Sequence, residues 1–341
     1  MTIKEFIKNW WNGLKYEPND PRLLAGSDIK IVVIGGGTGL SNLLRGLKVY
    51  SKNITAIVTV ADDGASSGEL RKEFDILPPG DIRKCISALA YDEKLISKIF
   101  EYRFLDGKKL SGHTLGNIWL TALSKHYGSF EKAIEATSEV FKTAGRVYPS
   151  TLDNIHLDIL YTDGTMVRGE SNLDHLIKQP EKITLSKKNV RAYKKSIKAI
   201  KEADMIAAGP GSLYSSIIPN LLIRGIREGI KSNKTAIKIY IANCSTERTQ
   251  TENYSVDDHI GALIKHSGKN LFKYCLVNKK VLKKSKDESK LGAVHNITTD
   301  SNEILGCKII KSDVIDSKNP LYHNPKKLAK SLITLYNQTK S

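Results

Sequence analysis

The run Ile31-Val32-Val33-Ile34 contains no polar residue and stops abruptly at Gly35-Gly36-Gly37-Thr38-Gly39. Asn42-Leu43-Leu44-Arg45-Gly46-Leu47 then resumes at helical spacing. A short unbroken apolar run reads as a strand buried on both faces, as in a parallel sheet covered by helices. Strand, glycine turn and helix make one βα unit, which commits the chain to an α/β fold. Glycines let the main chain approach an anion, and the helix N-terminus adds free N–H groups and partial positive charge. Gly35, Gly36, Gly37, Thr38, Gly39 and Ser41 are therefore a candidate phosphate cradle. A tight turn with no ligand would use the same glycines.

The same device recurs later in the chain. A helix over Tyr193–Ala203 leads to the strand Met205–Ala208, which ends in Gly209-Pro210-Gly211-Ser212. Two such turns, each after a buried strand, can face one another across the topological switch point of a doubly wound sheet, one at each end of a diphosphate. This adds Gly209, Gly211 and Ser212 to the candidate site. The next strand, Thr235–Ala242, ends at Asn243, placing that side chain at the rim of the same crevice.

A second buried strand, Ile54–Val60, ends in Ala61-Asp62-Asp63-Gly64. Carboxylates at the C-terminal end of a parallel strand sit where α/β folds bind ligands. Asp62 and Asp63 are candidates to hold Mg²⁺ against a diphosphate, or to take a ribose hydroxyl. A solvated turn capping the next helix is the competing reading. In Pro78-Pro79-Gly80-Asp81-Ile82-Arg83, the spacing predicts Asp81 as N-cap of a helix over Ile82–Ala90. Arg83 in that first turn opposes the helix dipole, so it either faces an anion or lies at the surface. His113, ahead of the apolar helix Ile118–Leu123, is a candidate phosphate donor or acid/base, or else a cap or a satisfied buried group.

Ile155–Tyr161 alternates, Thr162-Asp163-Gly164-Thr165 is a hairpin turn, and Met166–Gly169 returns. This predicts a small antiparallel β insertion at about 150–190, with lysine-rich loop up to Ala192. A strand at Phe272–Val277, another within Leu305–Ile315 and a basic helix over Pro320–Asn337 complete the pattern. Residues 28–341 read as a single domain. Residues 1–27 read as an amphipathic helix, with Phe6, Trp10, Trp11 and Leu14 on one face, followed by a linker. That helix either packs on a protein surface or makes weak contact with a membrane surface.

The 341 residues carry a formal charge of +17, which suits anionic partners. The lysines are dispersed and aromatics make up only 7%, so a specific nucleic-acid partner is not expected. No apolar run is long enough to span a bilayer and no secretory signal is evident. The four cysteines are scattered without metal or disulfide spacing, which fits a reducing cytoplasm. Leu40 occupies the third glycine position of GxGxxG, which disfavours an NAD-binding oxidoreductase, and no Gly-Lys-Ser/Thr follows to make a P-loop.

Together, Gly35–Ser41, Thr59-Val60-Ala61-Asp62-Asp63-Gly64, Pro78–Arg83, Gly112-His113 with Gly116-Asn117, and Gly209–Ser212 with Ile218-Pro219-Asn220-Leu221 resemble the YvcK, or gluconeogenesis factor, family. That family is related to the phospholactate transferase CofD. The resemblance covers about Lys30 to Leu332. It implies a Rossmann-like three-layer αβα fold with one mostly parallel sheet and a small antiparallel β insertion. It further implies a cytoplasmic, nucleotide-binding protein needed for cell shape and cell-wall synthesis during gluconeogenic growth. The ligand it implies is a UDP-sugar, first of all UDP-N-acetylglucosamine. No cofactor is then required, Mg²⁺ accompanying the nucleotide at most, and a homodimer is expected. A CofD-like transferase moving a phosphate-linked group from a nucleotide diphosphate donor is the catalytic alternative. The sequence departs from the family at Ala65 (usually glycine), Lys84 (usually asparagine), Ser245–Thr251 and Tyr322-His323-Asn324.

Overall fold

The structure is a computed structural model that describes residues 28–176, 178–280 and 295–340. The expected helix and linker over 1–27 lie outside the described residues.

In chain order the first half comprises β1 (Ile31–Gly35), α1 (Gly37–Leu47), β2 (Ile54–Val58), α2 (Ala65–Phe74), α3 (Gly80–Leu89), α4 (Glu93–Phe100), α5 (Leu115–Tyr127), α6 (Phe130–Val140) and β3 (Gly145–Pro149). An insertion follows: β4 (Leu157–Tyr161), β5 (Met166–Arg168), α7 (Asn172–His175) and β6 (Pro180–Leu185). The second half runs α8 (Lys194–Glu202), β7 (Met205–Ala208), a π-type turn (Leu213–Ile217), α9 (Ile218–Leu222), α10 (Arg224–Ser232), β8 (Ile237–Ile241) and α11 (Val256–Ser267). It ends with β9 (Tyr274–Asn278), β10 (Glu303–Ile304), β11 (Cys307–Ser312) and α12 (Pro325–Lys340).

Eight strands form one sheet in the order β10-β11-β9-β8-β7-β1-β2-β3, parallel throughout except for β10 against β11. From β1 the chain steps outward through β2 to β3. It then returns to β7, beside β1 on the other side, and steps outward again. The gap between the C-terminal ends of β1 and β7 is thus the switch point of a doubly wound sheet, where such folds bind ligands.

Every residue of β1 is buried. Successive side chains of a strand point to opposite faces. Ile31 and Val33 pack with Leu40, Leu43, Leu44 and Leu47 of α1 and with Leu328 and Leu332 of α12. Val32 and Ile34 join the opposite core, with Ile217, Ile218 and Leu221 and with Ile226 and Ile230 of α10. Each such fully buried side chain contributes about 1.5–3 kcal/mol relative to exposure. Helices therefore cover both faces, giving the expected three-layer arrangement.

The insertion is a three-stranded antiparallel sheet, β5-β4-β6. Leu157, Ile159, Tyr161 and Ile183 bury one face of it against the second core. The loop expected over the lysine-rich stretch is corrected here, because Pro180–Leu185 is a strand paired to β4. Its solvent face carries Glu181 and Lys182, so its short apolar pattern was masked by exposed charge. Two helix starts also differ from expectation. The helix holding Arg83 begins at Gly80 with Pro79 in the cap position, so Asp81 lies inside its first turn. The last helix begins at Pro325, and residues 320–324 form a separate strap. All four cysteines are buried and free. Among the described residues no helix is long and apolar enough to cross a membrane.

Candidate functional site

β1 ends at Gly35, and the chain must turn at once to start α1. Gly36 is extended, and Gly37 takes a positive φ of 65°, a conformation costly for a side chain with Cβ. The cap residue Gly36 offers no side chain to the helix, so the N–H groups of the first turn of α1 have no intrahelical partner. Directly opposite, β7 ends and the Gly209–Ser212 turn comes down on the first one. A Cβ placed on Gly39 would lie 2.6 Å from the carbonyl oxygen of Pro210. One placed on Gly211 would lie 3.4 Å from the carbonyl oxygen of Gly36.

These two turns wall a single cleft of about 380 Å³ at the switch point. Gly36, Gly37, Thr38, Gly39, Gly211, Ser212 and Asn243 all line it, joined by Ser216, the segment Ser245–Arg248 and the strap residues Leu321, Tyr322 and His323. Gly35 and Gly209 stand behind it in the sheet. The Gly35 carbonyl accepts from Thr59 N–H and from the Asn220 amide, and Gly209 N–H donates to Ile34. Ser41 is buried and donates to the Thr38 carbonyl at 2.9 Å, steadying the first turn from within.

The second turn offers fewer donors than its sequence suggests. Gly209 N–H is used in the sheet and Pro210 has none. Gly211 N–H donates to Asn243 Oδ1 at 3.3 Å. The Ser212 hydroxyl donates to Glu247 Oε1 at 2.8 Å, and Asn243 Nδ2 reaches the same oxygen at 3.4 Å. Asn243, Glu247 and Ser212 thus lock the shape of the second turn, while the first-turn amides of α1 have no partner within the helix. Glu247 escaped sequence reasoning, because a carboxylate is not what an anion site leads one to seek. Its position four residues after Asn243, in the loop leaving β8, was the available signal.

The remaining candidates lie outside the lining of this cleft. Arg83 is neither at the surface nor open to a ligand. It is 4% exposed, pairs with Glu101 at 2.9 Å and donates to the Thr114 hydroxyl. Burial pushes its pKa down, with the Glu101 charge opposing. His113 Nδ1 meets the Ser66 hydroxyl at 2.9 Å, Asn117 donates to that hydroxyl at 3.0 Å, and His113 Nε2 lies 3.4 Å from Glu69.

Asp63 has both carboxylate oxygens engaged, one by Ser171 N–H at 2.9 Å and the other by His156 at 3.4 Å, which ties the β2 loop to the insertion. Asp62 faces Asp81 instead. Burial raises the Asp62 pKa most and Asp81 adds to the rise, while hydrogen bonds from Gly64 N–H and Ser67, and then the Lys84 charge, oppose it. Asp81 in turn abuts the cradle, since a Cβ on Gly36 would stand 2.5 Å from Asp81 Oδ2, and it accepts from Lys84 at 3.3 Å. No cluster of three or more His, Cys, Asp or Glu side chains is arranged for a metal among the described residues. Mg²⁺ needs only one or two carboxylates beside substrate phosphates, and the half-buried, mutually repelling Asp62 and Asp81 fit that limited role better than Asp62 with Asp63, whose oxygens are both engaged.

A model of the 2-phospho-L-lactate transferase CofD family matches residues 31–315. A gluconeogenesis factor of Halalkalibacterium halodurans is 40% identical over 312 residues, covering 89% of this chain and 95% of the relative. One of Bacillus subtilis is 38% identical over 314 residues, covering 91% and 99%. A crystal structure of a Bacillus halodurans protein superposes with a TM-score of 0.85 at 39% identity, covering 89% of this chain and 99% of that one. By the matched model, these relatives and the shared fold, the chain belongs to the CofD family, in its gluconeogenesis factor branch.

Proposed function

We propose that the protein binds a nucleotide sugar of the UDP-sugar class, UDP-N-acetylglucosamine first among them. Its role is then regulatory, in cell-wall synthesis and cell shape during gluconeogenic growth, rather than catalytic. The observation that carries the reading is the meeting of two glycine turns over one cleft at the switch point, with the first-turn amides of α1 left without partners inside the helix. A diphosphate matches those amides. The carboxylate of Glu247 and the polar residues Ser245 and Thr246 suit the hydroxyl groups of a ribose or hexose. Calorimetric titration with UDP-N-acetylglucosamine tests this. Saturable binding supports it, and no heat at millimolar ligand overturns it.

A second reading is favoured by one feature, the Asp62–Asp81 pair, of which Asp81 stands beside Gly36. In a CofD-like transferase these carboxylates would hold Mg²⁺, which would offset charge building on the diphosphate leaving group. Metal-dependent turnover of a nucleotide diphosphate donor, lost in Asp62→Asn, would select this reading over the first.

A further inference from the structure

Between α4 and α5 the chain presents large apolar side chains to solvent. Ile99, Tyr102, Leu105 and Leu110 are 41%, 56%, 79% and 46% exposed. An exposed leucine taken singly is ordinary, but several large apolar groups gathered on one short stretch mark a contact surface.

The loop holds its shape without covering them. Phe104 N–H donates to the His113 carbonyl at 3.0 Å, and Gly112 N–H donates to the Phe104 carbonyl at 2.8 Å. The Ser111 hydroxyl donates to the Leu105 carbonyl at 3.2 Å, and the Arg103 guanidinium to the Gly112 carbonyl. Every residue from Leu105 to Gly112 is nonetheless exposed. At the base, the buried Arg83 pairs with Glu101 at 2.9 Å and donates to the Thr114 hydroxyl, which ties the stem to α3. The tip is thus a braced protrusion.

The charges around it are mostly of one sign. Glu93 is taken up by Arg45 and Lys48, and Glu101 by Arg83. Lys94 and Lys98, four residues apart on α4 and so on one face of it, are exposed, as are Lys108 and Lys109 at the tip. Asp106 alone offsets these four cations.

Apolar groups interleaved with cations suit a surface that is negative on its face and apolar beneath. A second copy of this chain suits them less. A two-fold contact sets the same patch against itself, and with it each lysine cluster against its own copy. A protruding tip, moreover, needs no matching groove in a bilayer. The formal charge of +17 on the whole chain draws it toward the same kind of surface.

We infer that the protein docks on a membrane bearing anionic phospholipids. Leu105 and Leu110 enter the headgroup boundary, Tyr102 lies at the interface, and Lys94, Lys98, Lys108 and Lys109 meet the lipid phosphates. None of these residues lines the cleft between the glycine turns, so the inference does not rest on what that cleft binds.

The experiment is co-sedimentation of the full chain with vesicles of phosphatidylcholine alone and of phosphatidylcholine mixed with phosphatidylglycerol. The parent should bind the mixed vesicles only, and should lose binding as salt is raised. Leu105→Ser should weaken that binding at least about tenfold, and so should the double variant Lys108→Gln/Lys109→Gln. Both variants should keep the parent's Tm, because these exposed side chains support no core packing. Leu152→Ser, which alters a leucine equally exposed at 46% on a different loop, should bind as the parent does. Equal binding by the parent and both loop variants places the contact elsewhere on the chain and overturns the inference. Loss in only one of the two loop variants overturns it as well, since the contact needs both apolar and cationic groups. Equal binding to both vesicles, or to neither, overturns it, and so does a loss in Leu152→Ser as large as in Leu105→Ser. A parent that elutes as a dimer while Leu105→Ser elutes as a monomer gives the face to a second copy and overturns it too.

Discussion

The main chain of Gly39 rests directly against the carbonyl of Pro210, so closely that a Cβ at Gly39 would stand 2.6 Å from Pro210 oxygen and 3.1 Å from Gly211 nitrogen. The two turns are separated by 170 residues of sequence yet share one van der Waals surface, and neither neighbour is a side-chain tip that could swing aside. Gly39→Ala must therefore push the turns apart. Overpacking of this kind costs about 1–3 kcal/mol, which thermal unfolding would read as a lower Tm. Because the displaced atoms are the cleft wall, binding of UDP-N-acetylglucosamine should fall by more than the stability does. A variant with unchanged Tm and unchanged affinity would show that the turns are not held in this register.

Glu247 presents the opposite trade. Its carboxylate accepts from Ser212 and Asn243, and it also places a negative charge beside the cleft proposed to take a diphosphate. In Glu247→Gln the side-chain carbonyl can accept both bonds, so the turn keeps its shape while the charge is removed. Pyrophosphate should bind several-fold more tightly, with the gain shrinking at high salt, because screening weakens exposed charge interactions. UDP-N-acetylglucosamine should gain less, since a carboxamide is a weaker partner for hydroxyl groups than a carboxylate. Titration at low and high ionic strength separates the two effects.

The Asp62 carboxylate is held above the ordinary aspartate range by burial and then by Asp81. An acid with a raised native pKa binds its proton more tightly when folded. Its ionisation therefore costs stability, beginning near the unfolded value of 3.8 and growing until pH passes the native pKa. Asp62→Asn can keep the bond from Gly64 N–H and removes that cost. The ligand-free variant should melt at a higher temperature than the parent at pH 7, and the difference should vanish near pH 4. A lower Tm at pH 7 would mean that the hydrogen bonds from Gly64 and Ser67, with the Lys84 charge, more than compensate the desolvated carboxylate.

The sequence made the central strands legible because they are buried on both faces. β1 and β7 are continuous apolar runs, and β2, β8 and β9 are broken only by Thr55, Lys238 and Asn278. Their order was accessible only through the two glycine turns. β3 was passed over because it is an edge strand, with Arg146 exposed and Pro149 closing it. β6 was hidden by Glu181 and Lys182 on its solvent face. In the site, the residues legible from sequence were those whose backbone carries the chemistry. Asp81 was taken for a cap because its position beside Gly36 depends on a tertiary contact, not on spacing. His323 was read as the start of the last helix. Its burial is set by the strap's bonds to the segments leaving β8 and β11, which no local pattern encodes.

Acid sensitivity provides a final test, centred on His259. It is fully buried, its Nδ1 meets the Tyr240 hydroxyl at 2.9 Å, and Tyr254 packs edge-on against its ring. Burial lowers its pKa from 6.5 to about 4, and the only opposing charge of note is Asp258. A histidine with a depressed native pKa is protonated more readily when unfolded. The stability it protects is complete above pH 6.5 and drains as pH falls toward 4. By pH 5 the loss amounts to about 2 kcal/mol for this residue. His323, lowered to about 4 as well by burial, adds a similar loss at the same C-terminal end of β8. Urea midpoints measured between pH 8 and pH 5 should fall accordingly. His259→Gln, although less stable at pH 8, should show a shallower fall over the same range. If the parent's midpoint is flat over that range, water reaches these rings in solution and neither imidazole is held in its neutral form.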